Sequence, residues 1–370
     1  MTRNLTAKKA RNSKIFRIFL VLMFAFSMSQ NLTASDASSE GEFNPGEIIM
    51  HHIMDAHEIH IMDGAHFPLP VIVKAPNAFE LFSYSKFEQV EGESYKTYTS
   101  PSSNNTYLYE HGHIYMANEE GGISMDEEGA ISNAAPYDLS ITKNVVGLFS
   151  AMIIMLLVFI SVARTYARRK GEAPKGLQSW VEPLIVFIRD DVAKPSIGHG
   201  YERFMPFLLT IFFFIWFANM LGLIPFLGGM NVTGNIAVTA VLAVFTFIIT
   251  TINGNKGYWM HIILPPGVPI WLLPLMWPIE IFGVFIKPIV LCLRLFANIT
   301  AGHIIILSFT MLIFIFANSS GVGVAYGVSI GTLIFSVFMN VLELLVAFLQ
   351  AYVFTLLSAL YFGQATEEAH

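Results

Sequence analysis

Charge is what the second half of this chain nearly lacks. Between Lys287 and Glu343 the only Asp, Glu, Lys or Arg is Arg294, amid residues apolar enough for a bilayer. A guanidinium at the centre of a membrane helix costs about 2.5–3.5 kcal/mol, so Arg294 is expected either to work or to find a partner. Cysteine is nearly absent too: Cys292 alone cannot close an internal disulfide and carries no metal-ligand spacing, which reads as packing. No GxxxxGK[ST] loop is present, so nucleotide chemistry in this chain is not expected, and no HExxH supports an intramembrane metalloprotease. A convincing internal repeat is also missing, which argues against the alternative of a self-contained ion-coupled secondary transporter.

What is there is apolar. The 370 residues are 54% hydrophobic and only 13% charged, the composition of a membrane protein rather than of a soluble enzyme. The formal charge of -6 is unevenly spread, with 18 acidic against 4 basic residues from Asp36 to Lys143, a local net of -14.

The chain opens with a basic segment (Arg3, Lys8, Lys9, Arg11, Lys14, Arg17), an apolar stretch from Ile18 to Phe26, and small residues at plausible cleavage positions. Residues 1–37 therefore read as a signal peptide, with a retained anchor as the alternative; either one exports the acidic segment. Residues 38–143 form an acidic, histidine-rich extramembrane region whose alternating stretches HFPLPVIVKA and TYLYEHGHIYMA predict a small, partly β structure. HIMDAH at His52–His57 recurs as HIMDGAH at His60–His66, beside His51 and Glu58. Such groups can bind zinc, but no closed ligand spacing is present. A local fold or subunit contact is the leading reading, with proton collection near a channel mouth another, and no metal site is assigned.

From residue 144 to 370 the pattern is that of an all-α polytopic membrane domain. Val145–Ala163 offers 19 uncharged residues, about 28 Å of helix. Arg164, Arg168, Arg169, Lys170 and Lys175 come directly after it and mark the cytoplasmic side. The stretch WVEPLIVFIRDDVAKP could lie at the interface or in a soluble loop. A second span is expected from Phe204 to Phe226 and a third from Asn235 to Ile252. Five prolines before Glu280 then suit an interfacial or re-entrant segment. The apolar stretches Leu275–Phe316 and Val324–Phe362 are each too long for one upright helix, since 42 residues rise about 60 Å. Two long, tilted, antiparallel C-terminal helices are expected, making five spanning units with a cytoplasmic C-terminus.

Polar residues within these helices are the candidate site. Glu280, Lys287 and Arg294 recur every seven residues and Asn298 follows Arg294 by four, forming one drifting stripe. His303 lies nine positions after Arg294, about half a turn around the axis, so it faces something else. On the last helix Glu343 and Gln350 share a face. Each has a simpler reading: Glu280 and Lys287 could sit near an interface, Asn298 could be a helix-packing hydrogen bond, and His303 a neutral core histidine. A carboxylate deep in an apolar helix, as at Glu343, is harder to dismiss. Arginine stays charged, so Arg294 suits a separator that repels cations and attracts a partner's carboxylate rather than a proton relay.

The run KPIVLCLRLFANITAGH resembles the signature of subunit a of the F-type ATP synthase membrane sector, and the end LQAYVFTLLSALYFGQATEEAH and NMLGLIPF are also similar to that family. The resemblance covers Val145 to His370. It implies a non-catalytic, proton-channel stator subunit without cofactor or nucleic acid, partnered by a ring of c subunits, peripheral-stalk b subunits and the other F-type ATP synthase subunits. It also implies multi-pass residence among the lipids of a bacterial inner membrane. Two offset aqueous half-channels would carry protons to and from the ring. In that frame Arg294 is the essential separator, Asn298 and Gln350 polar neighbours at the ring face, and Glu280 and Asn219 channel positions. His303 and Glu343 match a titratable pair that some members hold in the opposite order. Gly222 stands where some members carry an acidic residue, and the long acidic outer region departs from the family's short N-terminus.

Overall fold

The computed structural model describes residues 45–62, 65–90, 92–118, 121–126, 131–169, 171–224, 229–264 and 269–367. The expected signal peptide, residues 1–37, lies outside the described residues. The chain divides into two compact units. One comprises the described residues of Met1–Gly147 with Gly222–Met230 and Ile304–Asn340; the other comprises Leu148–Leu221, Asn231–His303 and Val341–His370.

The first unit holds most of the polar N-terminal part. Helix α1 (Pro45–Ile53) precedes a β1–β2 hairpin (Glu58–Met62 and Ala65–Pro68). Strands β3 (Pro70–Lys74) and β4 (Phe79–Ser83) come next, then β5 (Glu88–Gln89), β6 (Lys96–Thr99), β7 (Thr106–Glu110), β8 (His113–Met116) and β9 (Tyr137–Asp138). They form a three-stranded sheet in the order β4-β3-β9 and a four-stranded one in the order β5-β6-β7-β8, with antiparallel pairing throughout. Alternation on β3 sends Val71 and Val73 inward, where they pack with Phe82, Tyr107 and Ile114. Between β7 and β8 the turn at His111 and Gly112 has φ of 48° and 86°, the positive angles that tight hairpins require.

The polar region is bolted to the first long helix, α2 (Lys143–Arg168). Lys143 donates its backbone N–H to the Ala56 carbonyl at 2.8 Å and its amine to the Met54 carbonyl at 3.1 Å. The Asn144 N–H donates to Asp55 Oδ1 at 3.1 Å, placing a carboxylate at the helix N-terminus, where free N–H groups and the macrodipole favour negative charge. Val146 packs on Ile59, Leu69 and Met230. Ile304–Asn340 supplies the remaining helical part of this unit, where the Phe309 and Phe335 rings lie 3.9 Å apart between centroids.

The second unit is helical. After α2 come α3 (Gln178–Phe187), a π-helical turn (Ile188–Ala193) and α4 (Lys194–Ile197). The amphipathic candidate is thus helical; it buries Val181, Ile188 and Val192 and sets Phe187 against Tyr352 at 5.4 Å. Helices α5 (Met205–Gly222), α6 (Ile236–Ile252) and α7 (Lys256–Ile263) are next in order. Asn235 caps α6 by accepting the Ala237 N–H at 2.9 Å, and α6 and α7 meet at 101°.

Of the proline-rich stretch, residues 265–268 lie outside the described residues; Ile270–Leu272 forms a 3-10 turn and Leu273 opens α8, which continues to Ser320 with Pro278 and Pro288 inside it. Gly321, with φ of 87°, takes a conformation that side chains disfavour and separates α8 from α9 (Val322–Thr366). Their 48 and 45 residues exceed the roughly 20 residues of an upright span. Among the described residues four helices are long and apolar enough to cross a membrane, or five when the bent α6–α7 pair counts as one span.

Candidate functional site

Within the second unit α8 and α9 run antiparallel, with His303 opposite Glu343 and Lys287 opposite Gln364. His303 Nδ1 lies 3.3 Å from Glu343 Oε1. Glu343 is 4% exposed, while His303 is partly open. What permits this approach is Gly302: a Cβ there would come 3.0 Å from Glu343 Oε1. The sequence carries only a faint sign of this role, in that a glycine inside a helix costs about 1 kcal/mol relative to alanine and so signals a packing reason.

One turn beyond Glu343, the Ala347 carbonyl accepts a hydrogen bond from Asn219 Nδ2 at 3.0 Å. Thr233 Oγ1 donates to Asn219 Oδ1 at 2.5 Å. This buried bridge ties α5 and the segment before α6 to α9 near the carboxylate, with Asn219 3% exposed. Thr233 is not among the expected site residues; a lone threonine in a glycine-rich turn carries no sequence signal for such a role.

Arg294 and Asn298 share the other side of α8 and are both exposed. Nine positions apart on one continuous helix, Arg294 and His303 lie about half a turn from each other: the imidazole meets Glu343 on α9, and the guanidinium is exposed. Arg294 lies within electrostatic reach of Tyr361. Lys287, on the same stripe, donates to Gln364 Oε1 at 2.8 Å and sits 5.6 Å from the centre of the Tyr361 ring. Glu280 is partly buried and acts electrostatically on Lys287. Gln350 is buried on α9, as is Glu343.

Two members of the histidine-rich repeat, His57 and Asp55, are engaged by the surrounding fold. His57 Nε2 is 3.2 Å from Asp138 Oδ2, its ring wedged against Tyr84 and Tyr109. Asp55 caps α2, and His60 and His66 are cross-strand partners in the β1–β2 hairpin. Among the described residues no three His, Cys, Asp or Glu side chains gather as a metal site. Burial opposes ionisation of Asp138, but the hydrogen bonds from His57 and Ser140 outweigh it and hold the carboxyl below its ordinary value. Burial likewise raises the Tyr84 hydroxyl, and raises that of Tyr109 to about 12.

The fold and this arrangement define a polytopic helical membrane protein with a carboxylate–imidazole pair between its two longest helices. A family model described as ATP synthase A chain matches residues 145–363. The chain belongs to that family, the membrane subunit a of F-type ATP synthases. ATP synthase subunit a of Chloroherpeton thalassium is 47% identical over 250 residues, 63% of this chain and 71% of that protein. That of Chlorobium phaeobacteroides strain BS1 is 40% identical over 329 residues, 87% of this chain and 77% of its own length. Subunit a of Myxococcus xanthus is 42% identical over 241 residues, 63% of this chain and 75% of the relative. Residues 48–139 match a separate family described as a domain of unknown function, DUF8433.

Proposed function

We propose that this chain is the proton-translocating stator subunit of an F-type ATP synthase, forming two aqueous half-channels against a ring of c subunits and coupling proton flow to rotation and ATP synthesis. The observation that carries the reading is the division of labour on α8, with His303 3.3 Å from Glu343 and Arg294 exposed nine positions earlier on the same helix, about half a turn around its axis. A carboxylate and an imidazole in contact can pass a proton between them, whereas a permanently charged guanidinium cannot readily do so. Arg294 faces the ring, draws the ionised ring carboxylate toward itself and separates the two half-channels. Asn298 and Gln350 support it, and Glu280 and Asn219 belong to the channel walls, Asn219 by holding α9 in place.

In this reading residues 1–37 are a signal peptide, 38–143 an exported region and 144–370 the membrane domain. The chain resides in the bacterial inner membrane with its C-terminus in the cytoplasm. The basic cluster at the C-terminal end of α2 and just beyond it supports that orientation. Peripheral-stalk b subunits complete the stator contacts.

The test is ATP-driven acidification of sealed vesicles carrying the assembled complex, comparing wild type with Arg294→Ala at matched amounts of the chain. Loss of pumping with assembly intact is the expected result. Pumping at the wild-type rate would remove Arg294 from the coupling path and with it the proposed mechanism.

A further inference from the structure

The three-stranded sheet of the first unit is apolar on both faces. Its inner face follows the usual rule, with Val71 and Val73 fully buried. On β4 the alternation is inverted: Glu80 is buried and hydrogen-bonded by the Ser103 hydroxyl, while Phe79 and Leu81 point outward at 66% and 68% exposed. On β9 and the residue after it, Asp138 turns to His57 and leaves Tyr137 and Leu139 outward at 78% and 60%. Strand register then arranges these side chains in rows. Lys74 pairs with both Phe79 and Tyr137, and Ile72 pairs with Leu81 and accepts the Leu139 N–H at 2.8 Å. Two rings and two leucines at these exposures present on the order of 500 Å² of side-chain surface, the size at which an exposed patch marks an interaction site. An antiparallel sheet facing water ordinarily shows polar residues there.

The chain itself indicates what covers this face. Leu139 is four residues before Lys143, where α2 begins, hence within about 14 Å of it even when fully extended. There is little slack between sheet and helix: the Ile141 N–H still bonds to the Pro70 carbonyl at 3.2 Å, and Lys143 and Asn144 bond back to Ala56, Met54 and Asp55. A sheet held this close to the entry point of a membrane helix sits at headgroup level, where aromatic rings and leucines find apolar cover and a lysine reaches outward to polar headgroups. We propose that the outer face of the β4-β3-β9 sheet, with Phe79, Leu81, Tyr137 and Leu139 around Lys74, rests on the lipid surface beside α2. The surrounding region carries a net charge of -14, so contact is made through apolar burial rather than attraction to anionic lipid, and neutral bilayers suffice.

The test places a nitroxide at Phe79→Cys, Leu81→Cys or Tyr137→Cys, one at a time, in the full chain with Cys292→Ser, reconstituted in phosphatidylcholine vesicles. Collision with dissolved oxygen and with a water-soluble nickel chelate is compared with labels at Leu156→Cys, an exposed position on α2, and Ser102→Cys, in an outer turn. The expected result is loss of nickel collision relative to Ser102→Cys with oxygen collision retained, at any salt concentration. Nickel collision equal to that at Ser102→Cys would overturn the proposal, because the face would then be open to water. Protection from both reagents would overturn it equally, since a protein surface and not lipid would cover the sheet. Three separate positions keep the test decisive when one labelled variant fails to insert.

Discussion

A methyl group on Gly302 would come within 3.0 Å of Glu343 Oε1, so the glycine sets how closely the carboxylate can lie against α8. The oxygen belongs to a side chain that is itself buried and has little room to retreat. Gly302→Ala is expected to push Glu343 aside by a few tenths of an ångström and loosen the His303 contact. Since misplacing a reacting group by about 1 Å can cost about 100-fold in rate, a several-fold fall in proton flux is expected, larger for Gly302→Val. ATP-driven acidification with matched assembly measures it; full flux in both variants would show that the carboxylate position is not critical.

The His303–Glu343 contact predicts coupling. Removing either partner leaves the other a buried or half-buried polar group without its counterpart, so His303→Ala and Glu343→Ala should each slow flux, and the double change by less than the product of the single losses. Residues in contact typically show interaction energies of about 0.5–3 kcal/mol. The exchange His303→Glu with Glu343→His keeps both groups in place and should recover more flux than either half of it alone. Independent effects in the flux cycle would argue that the two residues act separately.

Gly363 is a different kind of close approach. A Cβ there would collide with the Ser196 backbone carbonyl, so α9 can lie against α4 only with a bare α-carbon. Backbone cannot swing away as a side chain can, and overpacking of this kind costs about 1–3 kcal/mol. Gly363→Ala should lower the thermal midpoint in detergent and the amount of chain recovered from membranes. Gly331→Ala is the contrasting case, with nothing within 4 Å of the added carbon; it should be neutral or stabilising, because alanine is the better helix former.

Much of the membrane part is legible in the sequence because its signals are long. Apolar runs, the basic cluster after Ala163 and the isolation of Arg294 report directly on what a bilayer tolerates. The half-turn between Arg294 and His303 follows from helix geometry alone. The illegible contacts depend on partners distant in sequence: Gly302 beneath Glu343, Thr233 on Asn219, and Gln364 on Lys287 are 41, 14 and 77 residues apart, with no period linking them. In the outer region His57 and Asp55 look like possible ligands because of their company in the sequence. Their structural partners are Asp138 and the first turn of α2, some 80–90 residues on. The inverted strand Phe79–Ser83 is equally hidden, since the sequence does not reveal that Glu80 has the Ser103 hydroxyl waiting inside.

Asp138 makes the outer region acid-sensitive in a defined window. Its carboxyl is lowered from an ordinary 3.8 because the hydrogen bonds from His57 and Ser140 outweigh the effect of burial. A lowered value in the fold means that the contribution is complete above 3.8 and is lost as pH falls below that, through the folded value. Asp138→Asn keeps the shape but not the charge, so it should weaken the region at neutral pH and remove part of the acid-dependent loss. Limited proteolysis of the full chain, carried from neutral pH to below 3.8, measures both effects. Many other carboxylates also titrate there, so the informative quantity is the difference between the two profiles. That difference should be largest at neutral pH and shrink as acid protonates Asp138 in the wild type. A gap that stays constant across the window would show that the His57–Asp138 contact holds the region by shape alone.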